Sequence, residues 1–76
     1  MLSPLSRTEQ GYIGRIMKIR GKPELHRWLL KAGLKTGVVI ERSMVTSPND
    51  LVEINTNHSH IQLDQQAADN IYVKLE

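Results

Sequence analysis

The 76-residue chain has no cysteine, which removes disulfides, thiolate zinc sites and a cysteine nucleophile at once. Stability must then come from apolar packing and backbone hydrogen bonds. Long apolar runs are also missing. The longest, Gly37-Val38-Val39-Ile40, falls far short of the ~20 residues that span a bilayer. The opening Met1-Leu2-Ser3-Pro4-Leu5 lacks both a basic region and a long apolar region, so it does not read as a signal peptide, and the expected compartment is the cytosol. Aromatics number three, Tyr12, Trp28 and Tyr72, too few for a base-stacking platform, and nucleic-acid binding is not expected. No Gly-rich loop precedes a helix, and no Ser, His and Asp carry a local catalytic signature. Gly33 and Gly37 flank a helix exit instead. A chain of 8.7 kDa also encloses little water-excluding volume, so an enzyme is not expected.

What is present is one domain, residues 1–76, with no second core. A chain this short buries only roughly 60% of its unfolded surface, so the fold must be compact and marginal. The net charge of +2 is unevenly spread. Residues 1–42 hold nine Lys or Arg against Glu9, Glu24 and Glu41, a balance of +6. Residues 43–76 hold Lys74 against Asp50, Glu53, Asp64, Asp69 and Glu76, a balance of −4. A basic half favours an acidic partner, nucleic acid or the inner leaflet of a membrane, unless folding mixes the two halves in space.

Leu2 to Gln10 reads as an anchoring segment, with Leu2 and Leu5 available to pack. A first strand runs from Tyr12 to Arg20, and Gly14 inside it suggests a bulge or sharp bend. Pro23 to Ala32 is the convincing helix. Pro suits its first position, and Glu24 favours its positive end. Leu25, Trp28, Leu29 and Ala32 recur at helical spacing on one apolar face. Gly33 fits the left-handed residue after the helix, with Leu34 folding back. Strands follow at Val38–Val45, Leu51–Thr56, His60–Leu63 and Ile71–Leu75. The turn cluster Thr46–Asp50 and the tight turn Asn57-His58-Ser59 separate the first three. Asp64 caps a single helical turn that reaches Asn70. The pattern is mainly β: a small five-stranded barrel with one inserted α-helix and a short helical turn before the last strand. The expected core includes Leu25, Trp28, Leu29, Gly33, Leu34, Gly37, Ile61, Leu63, Ala68, Ile71 and Val73.

As an ordered set these residues resemble a known family. The run Leu25-His26-Arg27-Trp28-Leu29-Leu30-Lys31-Ala32-Gly33-Leu34-Lys35-Thr36-Gly37 is similar to the signature of the FeoA family, a leucine-rich helix leaving through Gly-Leu to a second glycine. Ile61-Gln62-Leu63-Asp64, Ala68 and Ile71-Tyr72-Val73 resemble that family's closing elements. Gly11, Ile16 and Asp50 fit its first strand and central turn. The family often has Pro at the place of Thr36, Gly near Asn49 and His58, and Pro near Leu51. Asn49 can adopt the left-handed backbone that Gly would supply; His58 does so less readily. The resemblance implies an SH3-like barrel, also found as the C-terminal domain of DtxR-type repressors. It implies no cofactor. It further implies a cytosolic partner of FeoB, the GTPase-coupled ferrous-iron permease, reaching the membrane only through that partner. The alternative is a free regulatory barrel that binds a transcription factor or another cytosolic protein.

Two candidate sites stand out. Leu30 lies off the apolar face and is bordered by Arg27 and Lys31, so it either offers a docking contact or packs beneath Leu2–Leu5. His58 and His60 would share one face of an extended segment, with Asp64 near in sequence. Two imidazoles and a carboxylate suit a weak ferrous-ion contact. Histidines solvated at a hairpin tip account for the same pattern.

Overall fold

The computed structural model describes residues 1–45 and 48–75. Six strands form one antiparallel sheet: β1 (Leu2–Pro4), β2 (Ile13–Ile19), β3 (Val39–Arg42), β4 (Val52–Asn55), β5 (His60–Leu63) and β6 (Ile71–Lys74). Their order in space is β1-β6-β2-β3-β4-β5. Helix α1 (Pro23–Lys31) joins β2 to β3, and the short helix α2 (Gln65–Asp69) joins β5 to β6. This is the expected SH3-like barrel with one strand more. The anchoring segment begins as β1, paired with β6 through Ser3 opposite Val73, and continues as a 3-10 turn over Leu5–Arg7. Leu5 is fully buried, whereas Leu2 stays exposed. The Arg42 guanidinium holds this segment down by donating to the carbonyls of Thr8, Leu5 and Ser6.

The core takes one inward face from each of β2 to β6: Ile16, Ile40, Val52 with Ile54, Ile61 with Leu63, and Ile71 with Val73. Leu29 and Leu34 close it from the side of α1, and Ala67 and Ala68 from α2. On β5, Ile61 and Leu63 alternate with exposed residues as the period-two pattern requires, while on β4 Glu53 is buried along with Val52 and Ile54.

β2 breaks that alternation for a different reason from the one expected. The register with β6 shifts between Ile16 and Lys18, so the bulge lies at Met17 and turns both Met17 and Lys18 outward. Gly14 stays in register opposite Ile40. Its missing side chain makes room for the Tyr12 phenol, which a Cβ there would strike. The Tyr12 hydroxyl in turn donates to the Lys74 carbonyl on β6.

The remaining turns follow their residue chemistry. Asn49 and Asp50 both adopt left-handed backbone at φ 64° and 56°. Of the expected turn cluster, Thr46 and Ser47 lie outside the described residues. The β4–β5 turn uses no positive φ. Thr56 Oγ1 accepts from the backbone N–H groups of His58 (3.2 Å) and Ser59 (3.0 Å), and the Thr56 N–H donates to the Ser59 carbonyl. Asp64 caps α2 as expected, its carboxylate accepting from Ala67 N–H at 2.7 Å.

Candidate functional site

α1 is fixed at both ends. Pro23 takes its first position and Glu24 its first turn. At the other end Gly33 N–H donates to Leu30 O (3.0 Å) and Leu34 N–H to Leu29 O (2.8 Å), the paired bonds of a Schellman motif. That motif needs the left-handed backbone Gly33 supplies at φ 89°, and it swings Leu34 into the core. The helix therefore buries a narrow stripe: Leu29 fully, Leu25 and Ala32 in part.

Two further apolar side chains remain outside that stripe. Leu30, 61% exposed, does not pack beneath the N-terminal segment. Trp28 is 49% exposed, which corrects its assignment to the core. At about 100° per residue, Trp28 and Leu30 fall on opposite flanks of Leu29. Between them the helix crest carries Arg27 and Lys31, with Arg27 3.7 Å from the exposed Glu24 carboxylate. So the structure brings Arg27, Leu30 and Lys31 together on one solvent-facing surface of α1. On the other flank, Trp28 borders an open groove of about 700 Å³ that is also lined by Leu25, Leu51, Gln62, Asp64 and Ala67. Gly33 and Gly37, expected in the core, are exposed turn residues at which a Cβ would touch nothing. Leu25, Leu29, Leu34, Ile61, Leu63, Ala68, Ile71 and Val73 do form or pack on the core.

The two candidate histidines sit in different settings. His58 sits in the hairpin turn, not in an extended strand. His60 opens β5, and both its ring nitrogens are engaged: Nδ1 lies 2.6 Å from Asn55 Oδ1 and Nε2 2.9 Å from Glu53 Oε1. Asp64 is committed to its cap. Among the described residues no group of three or more His, Asp or Glu is placed to hold a metal ion. Glu53, only 8% exposed, accepts from Gln62 Nε2 at 3.0 Å as well. The hydrogen bonds from Gln62 and His60 hold its carboxyl below the usual carboxylate range.

Sequence spacing did not single out the outward row on β2 and β3, where Ile13 (64% exposed), Met17 and Val39 face solvent beside Arg15 and Lys18. The broken alternation of Ile13, Ile16, Met17 and Ile19 was its signal.

Among known proteins, no curated protein matches the chain. Solved structures do. The chain is similar to the crystal structure of an iron uptake regulatory protein, FeoA, with 23% identity and a TM-score of 0.82 over 97% of this chain and 96% of that one. It is similar to the solution structure of iron(II) transport protein A from Clostridium thermocellum, with 30% identity and a TM-score of 0.83 over 95% of this chain and 44% of that one. It also matches a manganese-dependent transcriptional repressor in complex with manganese, at 16% identity and a TM-score of 0.87 over 96% of this chain. There it spans 36% of the repressor's length, so that likeness is one of fold. The family model described as FeoA domain matches residues 3–75, from the buried Ser3 of β1 to Leu75 just past β6, and this chain belongs to that family.

Proposed function

We propose that this chain is a cytosolic accessory protein of bacterial ferrous-iron uptake that docks on the cytosolic part of a FeoB-type GTPase-coupled permease and catalyses no reaction itself. The observation that carries this reading is the surface of α1, where Leu30 stands exposed on the flank of the crest that carries Arg27 and Lys31. An apolar contact with a charged rim is the anatomy of a protein interface. Family membership supports the iron-uptake context. Among the described residues no helix is long and apolar enough to cross a membrane. In this reading contact with the bilayer runs through the partner. In this reading the ferrous ion is the permease's cargo, and His58 and His60 have no part in holding it.

The test is a titration of the ¹⁵N-labelled chain with the permease's GTPase domain and cytosolic loops, with and without nucleotide. Shifts clustered on Arg27, Leu30 and Lys31 are expected. A folded barrel with no shifts in any nucleotide state would refute the docking.

A second reading draws on the likeness to the manganese-dependent repressor, in which this barrel is about a third of a longer chain. A free regulatory barrel would contact a transcription factor, and that contact would depend on DNA or on the metal-loaded regulator.

A further inference from the structure

Side chains on the outward face of β1, β6, β2 and β3 line up across four strands. Leu2 pairs with Lys74, and Arg15 pairs with Val39. Ile16 pairs with Val73 in the antiparallel β2–β6 ladder, so continuing that register by one residue brings Lys74 alongside Arg15. The row reads Leu2, Lys74, Arg15, Val39: apolar, basic, basic, apolar, and all four are exposed. In the next row Pro4 pairs with Tyr72 and Tyr72 with Lys18, while the Arg20 guanidinium lies 5.5 Å above the Tyr72 ring.

Like charges side by side across a ladder repel. β1, β2 and β6 contain no acidic residue, and the one acid on β3, Glu41, stands opposite Ile13, two residues along from the Arg15–Val39 pair, with no ion pair to Arg15 among the described residues. The Arg15 guanidinium donates to the Gly37 carbonyl at 3.2 Å, a neutral partner that leaves its charge uncompensated. The sequence's basic half is therefore not mixed away by folding; part of it is gathered on one face. An acidic group brought from outside would relieve the repulsion, and the flanking Leu2, Ile13 and Val39 would gain burial against an apolar neighbour.

We propose that this face is a second docking surface, taking an acidic, partly apolar segment of the permease's cytosolic part; the proposal rests on the accessory reading above. Glu41 favours a protein over a lipid surface. It stands directly opposite Ile13, where its carboxylate would oppose anionic headgroups at the point of apolar insertion. A protein segment can set a cation there. Nucleic acid fits less well, because the aromatic ring on this face, Tyr72, is already covered by Arg20.

The experiment compares the intact chain with an Arg15→Glu/Lys18→Glu variant. Both are titrated with the permease's GTPase domain and cytosolic loops at low and high salt. Amide shifts at Arg15, Lys18, Val39 and Lys74 are expected in addition to those on α1. The double reversal should weaken binding roughly tenfold at low salt, and the difference should shrink at high salt. Unchanged urea midpoints confirm that both chains are folded, and Arg15→Gln/Lys18→Gln replaces the reversal if it perturbs the barrel. Shifts confined to α1, with a neutral reversal, overturn this inference and leave the docking reading standing. No shift anywhere removes both. Sedimentation with phosphatidylcholine–phosphatidylserine vesicles that the reversal abolishes would assign the face to the membrane and overturn the protein assignment.

Discussion

Gly14→Ala separates a glycine kept for space from one kept for backbone freedom. Gly14 has no positive φ, so alanine fits its backbone. On backbone grounds alone the change should stabilise by about 0.4–1 kcal/mol, through a less flexible unfolded chain. The new methyl meets the Tyr12 phenol, however, and the ring must move. Displacing a packed ring costs about 1–3 kcal/mol. The hydrogen bond from its hydroxyl to the Lys74 carbonyl is lost with it, about 0.5–1.5 kcal/mol more. The net is a destabilisation of about 2 kcal/mol, a large share of what a domain this small possesses. Urea unfolding followed by far-ultraviolet circular dichroism reads it as a midpoint lowered by about 2 M, taking a slope near 1 kcal/mol/M. The decisive comparison is a double-mutant cycle. In a Tyr12→Ala background the clash has no target, so Gly14→Ala should become neutral or mildly stabilising. An equal loss in both backgrounds would refute the argument and place the cost in the strand itself.

Other consequences follow from the same geometry. Leu29→Ala should cost about 2–5 kcal/mol, whereas Trp28→Ala, at a half-exposed ring, should cost clearly less than the about 3–5 kcal/mol of a buried one; paired urea midpoints decide. Asp64→Ala should cost about 1 kcal/mol by removing the carboxylate that caps α2. Because Glu53 titrates below the usual carboxylate range in the folded state, its contribution is complete above that range and is lost as pH falls through the folded value. Thermal unfolding between neutral pH and about pH 3 should therefore show an acid-side loss that Glu53→Gln reduces. Leu30→Ala should abolish partner binding by titration while leaving the urea midpoint nearly unchanged, since that side chain is mostly exposed and lies outside the core.

The elements that can be read from the sequence are those whose local chemistry and tertiary role agree. His60–Leu63 alternates and is β5 to the residue. Asp64 caps the helical turn that its side chain suggests, and Gly33-Leu34 close α1 as a Schellman pair. The departures have separate physical causes. β1 is three residues long and shows no alternation of its own; its partner β6, at the far end of the chain, makes it a strand. Trp28 shares helical spacing with Leu25 and Leu29, but spacing gives direction around the helix axis and not the width of the surface beneath it. Gly14 signals a special position without saying which kind, and only the Tyr12 ring decides between a bulge and a space. The exposed α1 surface was readable as residues off the stripe. The cationic row was not, because it depends on the pairing of β2 with β6 and on the shift at Met17.

A barrel this narrow divides its residues sharply. Each inward position of β2 to β6 goes to a single core, and α1 can cover only the stripe its nine residues lay over that core. One exposed leucine on such a helix is ordinary and carries no meaning alone. Leu30 becomes informative because cations border it, and because Trp28 on the opposite flank is also left out of the core. Burying either flank would need more sheet than the fold possesses. The same division leaves the side chains of Leu2, Lys74, Arg15 and Val39 outside the core, with Arg15 tied to the barrel through the Gly37 carbonyl. Substitutions on those surfaces should then change binding and leave unfolding midpoints in place, while substitutions at Leu29, Ile16 or Ile54 should do the reverse.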